Sequence, residues 1–336
     1  MRSLDTRAAF LLSLAPIALL GAVVSQSYFL HVLILTFIWC IVVSAWDLLM
    51  GYAGILNFAQ LVFFAAGGYA DLMLQSLLGW GPWSALLGAV VCVFLFGLVV
   101  ALPCLRLKGE YVALFTFAVH LAFPTFLQQG RAYGTGGSGG LWGANPLSIG
   151  NIEFTAANKQ GWFYLSLAFA AAAVWLIYFV VLRGKWGRAF ITLRDSEAAA
   201  KSLGVNEFYY KLVAFVLSAG LTGLAGVLYT DYVGVITPSV LGNEFFLIVM
   251  VMMCVGGLGR FPGVLLGAAI VTIGNELLRD FGQYRVIILG ATVVATLLFV
   301  PNGIVSLPER LGWKFRPRSN VSKNTRNDRI GTAAIT

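Results

Sequence analysis

Long apolar stretches recur along almost the whole chain, and no polar region long enough for a soluble domain lies between them. Candidate spans cover about 8–24, 28–50, 54–78, 83–104, 111–127, 162–182, 212–235, 244–257, 264–278 and 286–300. About 20 mostly apolar residues carry a helix across the roughly 30 Å hydrocarbon core of a bilayer. Of the 336 residues, 59% are apolar and 11% charged. Soluble domains hold about 45–50% and about 25%. That much apolar surface exceeds one soluble core, so much of it must face lipid. The expectation is an all-α, polytopic transmembrane bundle of about ten spans, with a transmembrane domain over 1–310 and a basic, disordered cytoplasmic tail over 311–336.

The formal charge of +8 has its cause in orientation, not in nucleic-acid binding. With the N-terminus inside and strict alternation, eighteen lysines and arginines fall in inner loops and four in outer ones. The four are Arg131, Lys159, Arg279 and Arg285. The positive-inside rule then places both termini in the cytoplasm. The first span follows Arg2 and Arg7 as a signal peptide would, but AVVSQS is a poor cleavage site, so we read an uncleaved span.

Chemistry-bearing motifs are sparse. The chain has no phosphate loop, no HExxH and no G-x-S-x-G. Cys40, Cys92, Cys104 and Cys254 lie in apolar stretches without metal spacing and read as packing residues. His31 and His120 are isolated in spans and read as satisfied interior histidines. Gly134, Gly136 and Gly139 spell G-x-G-x-x-G, but without the strand and helix of a dinucleotide site. The outer loop 128–161 reads as a flexible linker or as a cap over a substrate path.

Polar residues inside spans are costly and therefore informative. Asp71 and Asp231 are the deep acidic candidates and have no evident cationic partner, whereas Asp47, Glu244 and Glu276 read as residues at the membrane interface. Asn57 and Gln60 follow Gly51 and Gly54 and, three apart, would share a helix face. Two readings stand side by side: a broken helix lining a transport path, or close packing with interhelical polar contacts. Thr116 and His120 are further path candidates. Gly263 and Gly267 have the spacing of a small-residue contact face, next to a tight turn at GGLGRFPG.

The inner loop 183–211 is basic and contains RDSEAAAKSLG. Asp195 or Ser196 can cap a helix of about two turns that Gly204 ends. Such a helix is too short to be stable alone, so it is expected to dock on something.

The segments GYAG-x5-Q at 51–60, LRLKGEYVAL at 105–114 and TGG-x-GGLWG at 135–143 resemble the LivM-type permease subunits of branched-chain amino acid ABC importers. So do LRDSEAAAKSLGV at 193–205, GGLG-x3-G at 256–263 and VPNGIVSLPERL at 300–311, all in the family's order. The resemblance implies a permease subunit with no ATPase site or cofactor of its own, in a bacterial plasma membrane. ATP would be used by two ATP-binding cassette partners. A second related permease and a periplasmic or extracellular solute-binding protein would complete the assembly.

The implied cargo is branched-chain amino acids, other amino acids, amides or urea. The loop would supply the coupling helix that docks on an ATPase, with Arg194, Asp195, Glu197, Ala198, Ala199, Ala200 and Gly204 as its residues. The general importer pattern is EAA-x3-G. Here alanine stands at its leading position and Glu197 lies one residue early. The alternative is a stand-alone secondary transporter or channel.

Overall fold

The computed structural model describes residues 12, 15–21, 26–299 other than 108, 151, 156 and 283, and 303–304. The expected tail over 311–336 and residues 8–11, 13–14 and 22–24 of the first expected span lie outside the described residues. A short helical stretch, α1, covers 15–21. Then follow α2 (Ser27–Asp47), α3 (Gln60–Leu78), α4 (Pro82–Cys104), α5 (Glu110–Gln129) and α6 (Lys159–Trp175). After α7 (Lys185–Asp195) and α8 (Glu197–Ser202) come α9 (Glu207–Val233), α10 (Asn243–Gly256), α11 (Gly263–Leu277) and α12 (Tyr284–Phe299).

Among the described residues, six helices are long and apolar enough to cross a membrane: α2 to α6 and α9, some with one-turn extensions. The chain is therefore a nearly all-α, multi-pass membrane protein. Helices occupy the other expected spans as well, but α10 and α11 have 14 and 15 residues. At 1.5 Å per residue each spans only about 21–23 Å.

Helices α2, α3 and α9 form the centre. α4 packs on α3 and α9, α6 and α11 pack on α2, and α12 packs on α10. Glycine governs the closest approach. A Cβ on Gly67 would lie 2.1 Å from the Gly223 carbonyl oxygen, and one on Gly226 would lie 1.9 Å from that of Phe64. Backbones can meet this closely only where side chains are absent. Gly267 plays the same part between α10 and α11, where an added Cβ would stand 2.2 Å from the Met252 carbonyl oxygen.

The outward faces are apolar too. Leu87, Val91, Leu95 and Val99 form an exposed stripe along α4, four residues apart. Helical positions four apart share a face, so this face is built for lipid.

Two sequence readings change. The span expected from residue 54 begins at Gln60, because 53–59 is irregular backbone following a π-helical turn at Leu48–Tyr52. The glycine-rich loop is not a flexible linker. Its strand β1 (Leu141–Trp142) pairs antiparallel with β4 (Val235–Ile236), and β2 (Leu147–Ile149) pairs with β3 (Ile152–Phe154). A Cβ on Gly136 would meet the Gly140 carbonyl oxygen at 1.9 Å, so that glycine shapes a tight turn.

Candidate functional site

The break between α2 and α3 is held together by side chains on four helices. Asn57 Oδ1 accepts from the Ala59 amide at 3.0 Å, and Asn57 Nδ2 donates to Gln60 Oε1 at 3.1 Å. Trp46 Nε1 donates to the Asn57 carbonyl at 2.7 Å. Gln60 Nε2 donates to Ser218 Oγ at 3.0 Å and also to Thr222 Oγ1 on α9. Ser218 Oγ donates to the Ala45 carbonyl at 2.6 Å. On α5, Thr116 Oγ1 accepts from the Phe58 amide at 3.0 Å.

Asn57, Gln60 and Thr116 are fully buried, so three of the four path candidates converge on one network. Asn57 does not share a helix face with Gln60, because it precedes the helix and braces its entry as an Asx-type turn. Ser218 and Thr222 escaped the sequence reading. Small hydroxyls in an apolar helix give no signal until their partner is known.

His120 lies one turn beyond Thr116 on α5, outside this network. Its ring centroid is 5.1 Å from that of Phe246. His31 is satisfied, with Nδ1 2.6 Å from the Tyr232 hydroxyl. His120 Nδ1 has no hydrogen-bond partner among the described residues, which corrects the expectation of a satisfied histidine there. Beside it, Phe58, Glu110, Ala113, Leu114, Phe117, Phe246 and Met250 line a groove of about 380 Å³. Unlike α2, helix α5 turns most of its surface outward. One flank of the groove is therefore unfilled by the described residues.

A second cluster surrounds the short helix. Ser196 is its N-cap, accepting from the Ala199 amide at 3.2 Å. Gly204 takes φ +78° just past its end. Lys211 Nζ meets Glu197 Oε1 at 2.5 Å and Glu207 Oε1 at 2.6 Å, and Lys201 meets Glu207 Oε2 at 2.7 Å. The Glu207 carboxylate raises the Lys201 pKa through this contact. These ion pairs fasten α8 to the start of α9, beside a charged cavity of about 440 Å³ lined also by Gly54, Arg106 and Glu110.

Ala198 and Ala199 face outward, while Ala200 is fully buried. Leu203 is 74% exposed, an apolar side chain left uncovered at the helix end. Sequence reasoning missed it, because an isolated leucine carries no pattern. Arg194 is exposed on one side but reaches back to the break, and Asp195 beside it is exposed. Arg194 Nη1 turns back to donate to the Gly51 carbonyl at 2.8 Å, and its Nε and Nη2 donate to Asp195 Oδ1.

Asp71 and Asp231 are both buried in the interior. They come together as neighbouring carboxyls from α3 and α9, and neither is paired with a cation among the described residues. Gln75 Nε2 donates to Asp71 Oδ2 at 2.8 Å, and Gln75 Oε1 accepts from the Asn145 amide of the glycine-rich loop. The pair underlies that loop.

A family profile described as branched-chain amino acid transport system / permease component matches residues 28–297. The chain belongs to this family. The permease is 28% identical over 318 residues to the high-affinity branched-chain amino acid transport permease protein LivM of Salmonella typhimurium, covering 89% of this chain and 75% of that one. It is 29% identical to LivM of Escherichia coli K12, covering 81% and 69%. It is also 24% identical to LivH of Escherichia coli K12, covering 81% and 92%. No solved structure matches the permease.

Proposed function

We propose that this permease is the LivM-type half of a two-subunit translocation path in an ATP-driven importer of branched-chain amino acids or related small solutes. The observation that carries the reading is the family match across 28–297. The same chain also resembles LivH, as two subunits with related folds would. A LivH-like partner would close the open flank of the groove beside Phe117 and Phe246.

In this reading the chain crosses the bacterial plasma membrane about ten times, with both termini and the 183–211 loop in the cytoplasm. Helix α8 is the coupling helix. Its outward face, formed by Ala198, Ala199 and Leu203, enters a groove on an ATP-binding cassette subunit, while Lys211 and Glu207 hold its base. Two such ATPases supply the free energy, and this chain holds no nucleotide or metal cofactor. A solute-binding protein delivers cargo to the outer loop, whose strands cover the ends of α3 and α9. The pathway switches because ATP and cargo bind its states with different affinities.

Extraction of the native complex tests the assignment. ATP-binding cassette subunits and a LivH-like chain should co-purify with the permease. Solute flux through liposomes holding this chain alone would overturn the reading in favour of a stand-alone transporter or channel.

A further inference from the structure

Three chain segments meet at one point between the short helix and the break. The first is the end of α2 with its π-helical turn. Asp47 Oδ1 accepts from the Gly259 amide at 2.6 Å, and Asp47 Oδ2 accepts from the Tyr178 hydroxyl at 3.0 Å. The second is the turn between α10 and α11. A Cβ on Gly51 would stand 2.5 Å from the Gly259 nitrogen, so the two backbones touch.

The third is Arg194, the penultimate residue of α7 and only three positions before the first residue of α8. Its side chain fills the space that glycine leaves at 54. A Cβ there would lie 2.7 Å from Arg194 Cγ, and Gly54 has φ +70°. Its guanidinium holds the Gly51 carbonyl and is oriented by Asp195.

From Gly54 the chain runs through Asn57 and Phe58 directly into the bonds with Gln60 and Thr116. Arg194 is thus the side chain that joins the α7–α8 loop to the irregular backbone at 51–54. We infer that Arg194 is a positioning residue. Movement of α8 displaces its guanidinium, and the Gly51 carbonyl passes that displacement to the break and so to the wall of the groove. The inference rests on the importer reading for its functional consequence, but the contact itself stands independently. A lysine could reach one of the two acceptors but lacks the planar fork that serves both.

The test has two arms. In the purified chain, the Ala53 and Ile55 amides bond to the Leu48 and Leu49 carbonyls. Their hydrogen exchange should rise about tenfold in Arg194→Ala, a shift well within the free energies of local opening, and less in Arg194→Lys. Unchanged exchange in Arg194→Ala overturns the attachment. In the assembled complex, solute taken up per ATP hydrolysed should fall about tenfold in Arg194→Ala, within the 5–150-fold range of ordinary coupling energies.

Arg194→Lys should recover part of that ratio, which a loss of folding alone would not produce. An unchanged ratio overturns the transmission role. If Arg194→Ala does not assemble, Arg194→Met keeps the side-chain stem against Gly54, removes the guanidinium and is read in the same way. Absence of ATP-dependent uptake in the native complex would instead refute the importer reading, while the exchange arm still decides the attachment.

Discussion

Gln60 donates to Ser218 at 3.0 Å, across the contact between the first residue of α3 and the middle of α9. Ser218 in turn reaches the Ala45 carbonyl on α2, so one carboxamide ties the three central helices. Gln60→Ala strands Asn57 Nδ2 in a fully buried site. An unsatisfied buried polar group costs about 1–3 kcal/mol, so the thermal midpoint of the detergent-solubilised permease should fall accordingly. A midpoint equal to that of the native chain would show that the network contributes nothing.

Gly226→Ala should be among the most damaging single substitutions. Its methyl would stand 1.9 Å from the Phe64 carbonyl oxygen, with rigid backbone on both sides. Overpacking of this kind costs typically about 1–3 kcal/mol or more. Gly274→Ala on α11 is the control, because an added Cβ meets nothing within 4 Å there. Alanine at a helical glycine stabilises by about 0.5–1 kcal/mol, so this variant should melt no lower than the native chain. Equal losses in the two would refute backbone contact as the cause.

Substitutions on α8 should separate by face. Ala199→Glu and Leu203→Ser change the exposed side, and each should weaken association with ATP-binding cassette subunits while membrane insertion continues. Ala200→Glu buries a carboxylate where no space exists and should lower the yield of folded protein instead. Pull-down of the ATPases from membranes carrying each variant is the measurement. Normal recovery with both outward variants would remove α8 from the docking surface.

Phe246→Ala should impair transport more than an equally apolar change on the lipid-facing stripe. Phe246 packs against His120 at 5.1 Å and Phe58 at 6.0 Å, and each aromatic pair is worth about 0.5–1.5 kcal/mol. Uptake by the complex should fall several-fold. Leu95→Ala, with its side chain 59% exposed on α4, should leave uptake near the native rate. Equal uptake by the two variants would mean that the groove is not part of the path.

Much of the fold was legible because the bilayer imposes a length on apolar segments and glycine marks where they end. The helix at 197–202, its serine cap and its terminating glycine were all readable, since capping is local chemistry. The family resemblance also lay in the sequence, carried by short motifs in a fixed order. Asn57 and Gln60 were visible as polar residues in a costly place, although their geometry was not.

The sequence by itself determined that the chain is a helical membrane protein and where most helices lie. Only the tertiary structure decided which apolar face is core and which meets lipid. In a soluble helix polarity marks the outer face, whereas here Leu87, Val91, Leu95 and Val99 are as apolar as the buried residues of α2. It also decided that the Arg194 guanidinium reaches back to Gly51 while Ala198 and Ala199 face out, and that Asp71 meets Asp231. Those contacts join residues far apart in the chain, and their partners are chosen by how closely glycine-lined backbones approach, which no local pattern encodes.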